Sequence, residues 1–187
     1  MDGAALQAGR AHAGRERGRS DARLVREALD GSSRAVERLF ERHWNEAYRA
    51  AYWIMHDAAA AEDVAQEAFL SVLGGLDRFD CRRAFGPWLR RAVVNRAIDH
   101  TRARTARREV GADVLSEQAA AVAVPAPDPD LLAALAALPI DQRAVVVMRH
   151  VLECSPTEIA AALDVPRGTV NSRLRRGLDA LGVALAP

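Results

Sequence analysis

Four residues with oxygen-bearing side chains recur at helical spacing in the first half of the chain: Glu62, Asp63, Gln66 and Glu67. Residues three and four positions apart share one side of an α-helix, so these four form an acidic face. Clustered carboxylates can bind a divalent cation, but no histidine stands at ligand spacing and no His-Glu-x-x-His motif is present. We therefore predict no metal site. The face is either solvated or binds a basic partner surface, and we favour the partner because complementary charge sets register and association rate.

A strongly basic segment follows the acidic face. Residues 82–108 contain nine arginines and a single acid, Asp99. Such a concentration of positive charge predicts contact with a polyanion. The formal net charge of the whole chain is only +1, and residues 109–130 carry five acids and no arginine. The charges are therefore segregated along the chain.

Two short helices in quick succession are predicted near the C-terminus. Ser155 is a capping residue, Pro156 suits the first helical position, and Glu158 is placed to return a hydrogen bond to the cap. The first helix is expected to end near Asp164, and Pro166 then opens the second. The spacing predicts a pair of helices joined by a tight turn.

The second of these helices has an apolar side and a polar side. Its apolar stripe consists of Val170, Leu174, Leu178 and Leu181. The other side carries arginines together with Asn171 and Ser172. Arginine can pair with guanine and asparagine with adenine, while the remaining donors hold phosphates. The pair is therefore predicted to be a helix-turn-helix that reads duplex DNA, the alternative being a solvated helix face in an ordinary bundle.

The whole chain of 187 residues reads as all-α, because apolar residues recur at helical spacing and no segment alternates with a period of two. We predict a flexible tail over residues 1–20 and a helical domain over residues 21–108. An acidic, Ala- and Pro-rich linker over residues 109–130 follows, because its prolines cannot support a regular helix. A second helical domain covers residues 131–187.

Helix starts within the first domain are predicted from capping residues. A short helix is expected after Asp21, a long one after Ser32, and a third after Asp57 that runs to about Leu76. A fourth begins near Phe85 and continues into the arginine-rich segment. These four helices would form a small bundle.

Composition excludes several other classes of protein. No run approaches the roughly 18 apolar residues of a membrane helix, and residues 1–20 carry arginines instead of the apolar centre of a signal peptide. We therefore predict a cytoplasmic protein. Cys81 and Cys154 lie far apart and outside any Cys-x-x-Cys motif, so we predict ordinary thiols instead of a disulfide or zinc site. No cofactor is predicted.

Three blocks of sequence together resemble the extracytoplasmic-function group of bacterial sigma factors. The blocks are AEDVAQEAF (61–69), FGPWL with NRAIDH (85–100) and GTVNSRL (168–174), and Leu138-Pro139 adds to them. The resemblance runs from about residue 21 to 183 in the order and spacing of that family. It implies that residues 21–108 are sigma region 2 and residues 131–183 are sigma region 4. It also implies that the chain is not an enzyme: polymerase supplies catalysis, and this chain selects the promoter.

The resemblance assigns roles to three sets of residues. Docking on core RNA polymerase falls on the acidic face, Glu62, Asp63, Gln66 and Glu67. Opening of the minus-10 element and holding of its non-template strand fall on Phe79, Arg90, Arg91, Asn95, Asp99 and Arg102. Reading of the minus-35 element falls on Arg167, Thr169, Asn171, Ser172, Arg173, Arg175 and Arg176. The implied partners are core RNA polymerase, promoter DNA and an anti-sigma factor, which would hold the chain at the membrane without insertion of the chain itself.

Some positions depart from the family pattern, and some alternatives remain open. Asn171 stands where a basic residue is common and Arg175 where an aromatic residue or histidine is common, so the minus-35 sequence cannot be inferred. The loop over residues 80–83 is also unusual and leaves the minus-10 preference open. Phe79 either fills the core or stacks an unpaired base, whereas Phe85 is assigned to the core.

Two rival functions follow from the same residues. A stand-alone helix-turn-helix regulator would need no acidic docking face and would usually dimerise on two half-sites. A metal-dependent hydrolase or nuclease would use Glu62, Asp63 and Glu67, and its activity would require a divalent cation.

Overall fold

The computed structural model of the chain describes residue 18 and residues 20–109 and 128–186, and this part of the chain is helical without a strand. The helices are α1 (20–29), α2 (Ser33–Met55), α3 (Ala58–Gly74), α4 (Phe85–Glu109), α5 (Pro129–Ala137), α6 (Ile140–His150), α7 (Pro156–Leu163) and α8 (Arg167–Ala184), with a 3-10 turn over Leu76–Arg78. The all-α prediction is confirmed. The predicted tail and linker lie outside the described residues except at their ends. No described helix combines the length and the hydropathy needed to cross a bilayer.

Capping residues begin the helices of the first domain much as the sequence predicts. The Ser32 side chain accepts a hydrogen bond from the Ala35 amide at the start of α2. The Asp57 side chain accepts one from the Ala60 amide at the start of α3. Each cap satisfies an amide that has no partner within the helix. The predicted start after Asp21 is wrong, because the chain is already helical at residue 20.

Asp21 instead attaches α1 to α2. Its side chain is buried and accepts hydrogen bonds from Arg42 and from His43 Nε2, the latter at 3.0 Å. Burial alone would raise the pKa of Asp21, but the hydrogen bonds from His43 and Arg42 outweigh it and leave the pKa below its ordinary value. The ionised carboxylate therefore holds the N-terminal helix against the bundle.

The core of the first domain lies between α2, α3 and α4, which pack against one another. Its largest fully buried side chains include Tyr48 from α2, Phe69 from α3 and Phe85 from α4. Burying one such side chain contributes roughly 1.5–3 kcal/mol. The assignment of Phe85 to the core is confirmed.

In the second domain, α8 packs against α6 through a glycine. A Cβ atom added at Gly177 would stand 2.8 Å from Val146 Cγ2, closer than such atoms approach in proteins, so a larger residue here would force Val146 or the two helices to shift. Gly177 and Leu181 are buried in α8, whereas Leu178 is 41% exposed. The predicted apolar stripe is therefore wrong at Leu178, because the buried side of α8 runs through Gly177 and Leu181 and Leu178 lies beside it.

The two domains pack against each other in this conformation. Helix α6 contacts α2 and α4, helix α7 contacts α4, and buried residues from both domains form one continuous hydrophobic cluster. Arg143 joins the two sides, because its Nη1 donates to the Ile54 carbonyl of α2 at 2.8 Å while its Nη2 donates to the carbonyls of Ala136 and Leu138. The guanidinium thus satisfies three carbonyls at once.

His56 lies at the same junction, at the C-terminal end of α2. It adopts a left-handed backbone conformation with φ of 54°, and its ring nitrogens are shielded from solvent. Burial, followed by the positive charge of Arg143, lowers its pKa to about 4. The Trp53 backbone opposes this shift and Arg104 adds to it.

We expect this histidine to make the fold sensitive to mild acid. The unfolded chain binds a proton at His56 below about pH 6.5, while the folded chain binds it only near pH 4. Folded stability therefore falls as the pH decreases through this window, by on the order of 2 kcal/mol after allowance for partial exposure. Replacement His56→Asn keeps a residue that tolerates the left-handed conformation and removes the titration.

Urea unfolding of both proteins at about pH 7.5 and about pH 5 tests this expectation. The wild-type chain should lose more stability between the two pH values than His56→Asn does. Equal losses would show that His56 takes up its proton as readily in the folded protein as in the unfolded one.

Candidate polymerase and nucleic-acid interfaces

The acidic face lies on the outward side of α3. Asp63, Gln66 and Glu67 are exposed and Glu62 is half-buried. Gln66 Nε2 donates weakly to Glu62 Oε1 at 3.4 Å, and Arg96 of α4 donates to Glu67 Oε2 at 2.8 Å. The opposite side of α3 supplies core residues, so the helix separates a buried apolar side from an exposed acidic one.

Sequence reasoning missed an apolar member of this face. Leu70 is 69% exposed and follows Glu67 by three positions and Gln66 by four. Burying a leucine of this size in an interface would contribute roughly 1.5–3 kcal/mol. The spacing from Gln66 was the available signal, but an isolated leucine in a helix is ordinarily assigned to the core.

An open cavity of about 460 Å³ lies beside the start of α4. Its first-domain lining is Arg78, Phe79, Asp80, Arg83, Ala84, Pro87, Trp88 and Arg91, and α7 closes it with Glu158, Ala161 and Ala162. Aromatic rings and arginines thus meet in one concave surface. This combination suits a flat, negatively charged ligand such as a nucleotide, since rings stack on bases and arginines hold phosphates.

Phe79 meets both of the alternatives considered for it. Its ring is half-buried and stacks on Trp88 with centroids 4.7 Å apart, while its edge approaches Phe85 at 6.0 Å. It therefore packs on the edge of the core and also lines the cavity. A base inserted there would extend an existing aromatic stack.

The predicted minus-10 residues of α4 do not all point the same way. Arg91 is exposed and lines the cavity, and Asp99 is also exposed. Arg90 points elsewhere: it pairs with Glu46 of α2, and its Nη1 lies 3.2 Å from Cys154 Sγ. In this conformation the cavity therefore holds Arg91 but not Arg90.

Two further minus-10 candidates contact the second domain. Asn95 Nδ2 donates to the Ala162 carbonyl of α7 at 3.2 Å. Arg102 Nη2 lies 2.8 Å from Asp141 Oδ1 of α6 and also approaches Asp99 at 3.8 Å. Asp141 was not singled out from the sequence, because nothing in its local pattern distinguishes it from a solvated acid in a first helical turn.

The helix-turn-helix forms as the capping residues predict. Ser155 and Glu158 make the reciprocal hydrogen bonds of a capping box at the start of α7, and Pro156 occupies the first turn. Asp164 closes the helix in a left-handed conformation with φ of 54°. Pro166 then caps α8. The turn is thereby fixed by local hydrogen bonds, which orient α8 relative to α7.

Helix α8 presents the predicted minus-35 residues in two groups. The exposed ones are Arg167, Asn171, Arg175 and Arg176. The half-buried ones are Thr169, Ser172 and Arg173. Ser172 donates to the Thr169 carbonyl at 3.0 Å, and Arg173 Nη2 lies 3.3 Å from Asp141 Oδ2. Four donors are therefore available on the surface, and Arg173 is held in an ion pair.

In the described part of the chain the cysteines form no disulfide and the acids form no metal-binding cluster. Cys81 and Cys154 are both free thiols. Burial raises the pKa of Cys154, although the adjacent Arg90 acts in the opposite direction, so the reactive thiolate is disfavoured. Among residues 20–109 and 128–186, no three His, Cys, Asp or Glu side chains cluster in a way that would hold a metal ion.

Comparisons with known proteins bear directly on these surfaces. The sigma-70 region 2 family model matches residues 39–107, and the sigma-70 region 4 model matches residues 129–181. The chain is 32% identical over 183 residues to the RNA polymerase sigma-H factor of Pseudomonas aeruginosa, covering 89% of this chain and 94% of that one. It is 33% identical over 165 residues to the ECF RNA polymerase sigma factor SigM of Mycobacterium tuberculosis, covering 84% and 81%. The chain belongs to the extracytoplasmic-function (ECF) family of sigma factors.

A solved relative extends the likeness of this ECF sigma factor to three dimensions. CnrH, solved in complex with the cytosolic domain of CnrY, is 28% identical and superposes with a TM-score of 0.68, covering 89% of this chain and 97% of that one. The predicted resemblance is thereby confirmed, and the stand-alone regulator is not favoured. Sigma factors as a class are initiation factors without catalytic activity of their own.

Proposed function

We propose that this ECF sigma factor binds core RNA polymerase through the acidic face of α3, opens the minus-10 element with α4 and the preceding loop, and reads the minus-35 element with α8. One observation carries the proposal: a single chain presents an exposed acidic helix face and, on a separate domain, a capped helix-turn-helix with surface arginines. A stand-alone regulator has no use for the first of these surfaces.

The acidic face supports docking by charge complementarity. Asp63, Gln66 and Glu67 lie exposed along one side of α3 and would meet basic groups on the polymerase. Leu70 continues the same side, so the surface joins charged rim residues to one apolar anchor. Core binding through this helix leaves α4 and α8 available for DNA.

The cavity beside α4 supports binding of an unpaired base. Opening a duplex requires a protein that binds single strands better than paired ones, which stacking platforms and basic grooves do. Phe79 and Trp88 provide the platform, and Arg78, Arg83 and Arg91 provide the charge. A base of the non-template strand would stack there while the arginines hold the neighbouring phosphates.

Regulation by an anti-sigma factor is part of the proposal. CnrH is solved with the cytosolic domain of CnrY, and a second likeness, the sigma factor RpoE of Bartonella quintana, is solved with the anti-sigma factor NepR. RpoE is 22% identical with a TM-score of 0.65 and shows the shared fold. We propose that a partner of this class also binds the present chain and, where it is membrane-bound, holds the chain at the membrane.

Transcription from a promoter library tests the proposed function. Core RNA polymerase is mixed with the purified chain, and the transcripts are sequenced from a pool of randomised templates. Initiation should occur at a defined subset that shares two elements separated by a fixed spacer. A transcript pattern identical to that of core polymerase without the chain would refute the proposal.

Replacement of Arg173 by alanine is expected to weaken recognition of the minus-35 element. If this guanidinium reads a base, the loss is roughly 1–3 kcal/mol and is confined to promoters that carry the preferred base at one position. This loss is measured by comparing the affinities of the wild-type and variant holoenzymes for promoters that differ at each minus-35 position in turn. Arg34→Ala, which removes an exposed arginine from α2, is the matched control. An equal loss across all sequences would make Arg173 a phosphate contact.

A further inference from the structure

The junction between the two domains occupies groups that the proposed function needs for DNA. Asn95 donates to the Ala162 carbonyl, and Arg102 of α4 pairs with Asp141. Arg173 of α8 pairs with the same carboxylate from the other side. The junction therefore brings together one arginine from each proposed promoter-reading helix.

Asp141 contacts these two arginines with different oxygens. Arg102 Nη2 lies 2.8 Å from Oδ1, and Arg173 Nη2 lies 3.3 Å from Oδ2. A carboxylate that engages two guanidinium groups satisfies them as a phosphate of DNA would, because both anions accept charge-assisted hydrogen bonds. Neither arginine can give its full set of donors to DNA, whether to a base or to a phosphate, while Asp141 holds it.

The shared carboxylate also fixes the distance between the two helices. The minus-10 and minus-35 elements are named for their positions relative to the transcription start, so their centres lie about 25 base pairs apart. At 3.4 Å per base pair this is about 85 Å of B-form DNA. Two arginines that reach one carboxylate cannot serve two sites that far apart. The conformation of the structure is therefore closed with respect to promoter binding, and the domains must separate before both elements are engaged.

We propose that Asp141 is an intramolecular clamp that competes with promoter DNA for Arg102 and Arg173 and favours this closed conformation. The proposal rests on the proposed function for its meaning, although the closure itself can be measured without polymerase. Apolar contacts and Arg143 supply most of the cohesion between the domains. Asp141 is the element of the junction that directly neutralises DNA-binding groups, so its removal shifts the equilibrium toward the open form.

Cys154 reports on the separation of the domains. The residue is 2% exposed, and its sulfur lies 3.2 Å from Nη1 of Arg90 in the first domain. Domain opening withdraws Arg90 and exposes the sulfur to a thiol reagent. The experiment measures the rate of alkylation of Cys154 by iodoacetamide, followed by mass spectrometry, in the full chain with Cys81→Ser to remove the other thiol.

In that background, Asp141→Asn should be alkylated about fivefold faster than the parent, because two partly exposed ion pairs are lost. Asp179→Asn is the matched control: it removes the same charge from an exposed position on α8 and should leave the rate unchanged. Equal rates for Asp141→Asn and the parent would overturn the proposal. A faster rate fully accounted for by a lower free energy of unfolding, measured on the same proteins, would overturn it as well.

The same proteins connect the clamp to function. Their association rates with core RNA polymerase are compared, and Asp141→Asn should associate about fivefold faster than Asp179→Asn if opening precedes docking. Failure of every variant to bind core would refute the proposed function and leave the alkylation result standing. Faster alkylation without faster association would overturn the clamp as a brake on assembly.

Discussion

Replacement of Glu67 by arginine is expected to weaken binding to core RNA polymerase about 100-fold, the scale measured when charges at an interface are mismatched. Glu67 is exposed on the side of α3 that also carries Asp63 and Gln66. An arginine at this position would place a positive charge against a basic partner surface. The loss combines a missing attraction with a new repulsion, so it exceeds the effect of alanine.

The fold should tolerate the Glu67→Arg change. Glu67 pairs with Arg96 at 2.8 Å, but both side chains are largely exposed, and surface pairs of this kind contribute about 0–1 kcal/mol. Circular dichroism and the urea midpoint should therefore change little. Affinity for core is measured by titration of a fluorescently labelled chain.

Two control variants distinguish a defect in docking from a general effect of the added positive charge and from loss of the Glu67–Arg96 ion pair. Glu41→Arg makes the same change at an exposed position on α2 and should bind core as the wild type does. Arg96→Ala breaks the pair but leaves Glu67 in place, so it should retain most of the affinity. If Glu67→Arg binds core as tightly as Glu41→Arg, the assignment of α3 as the docking helix is wrong.

Replacement of Arg143 by alanine is expected to lower the free energy of unfolding by about 2–4 kcal/mol. Arg143 is 8% exposed, and its guanidinium donates to three carbonyls, those of Ile54, Ala136 and Leu138. Alanine would leave these acceptors without that donor and open a cavity between the domains. Burial, followed by the nearby charge of Arg104, lowers the pKa of Arg143, and the carbonyl hydrogen bonds hold the charged form in place.

Urea unfolding measures the Arg143→Ala effect. Arg175→Ala is the control, because it removes an exposed arginine from α8 and should change stability by no more than about 0.5 kcal/mol. Arg143→Lys should be intermediate, since one ammonium cannot reach all three carbonyls with good geometry. A loss for Arg143→Ala no larger than that for Arg175→Ala would show that the carbonyls find other donors.

Local features were predictable from the sequence because their signals lie within a few residues. The capping box at Ser155 and Glu158 depends on residues three apart, and the structure forms it as expected. The caps at Ser32 and Asp57 follow from the same chemistry. The acidic face of α3 follows from helical spacing alone. Such patterns specify the local backbone structure by themselves, so they can be recognised without knowledge of the tertiary fold.

Contacts between the domains were not predictable in the same way. The contacting residues lie far apart in sequence, and no periodic pattern links them. Examples are the pair Arg143 and Ile54 and the pair Arg102 and Asp141. From sequence alone, an arginine within a helix is expected to be solvated, and only the structure shows which groups bury it. The exposure of Leu178 was likewise not predictable, because helical spacing alone does not show that α8 meets α6 through Gly177 while Leu178 stays 41% exposed.

Promoter occupancy, measured on a template selected from the transcription library, should distinguish a polymerase-dependent sigma factor from a stand-alone regulator. It is compared for the chain alone, for core RNA polymerase alone, and for both together. We expect specific occupancy of both promoter elements only when the two proteins are combined, because the free chain is closed and core lacks the promoter-reading helices. Specific binding of the chain alone, unchanged by core, would contradict it and would identify a stand-alone regulator.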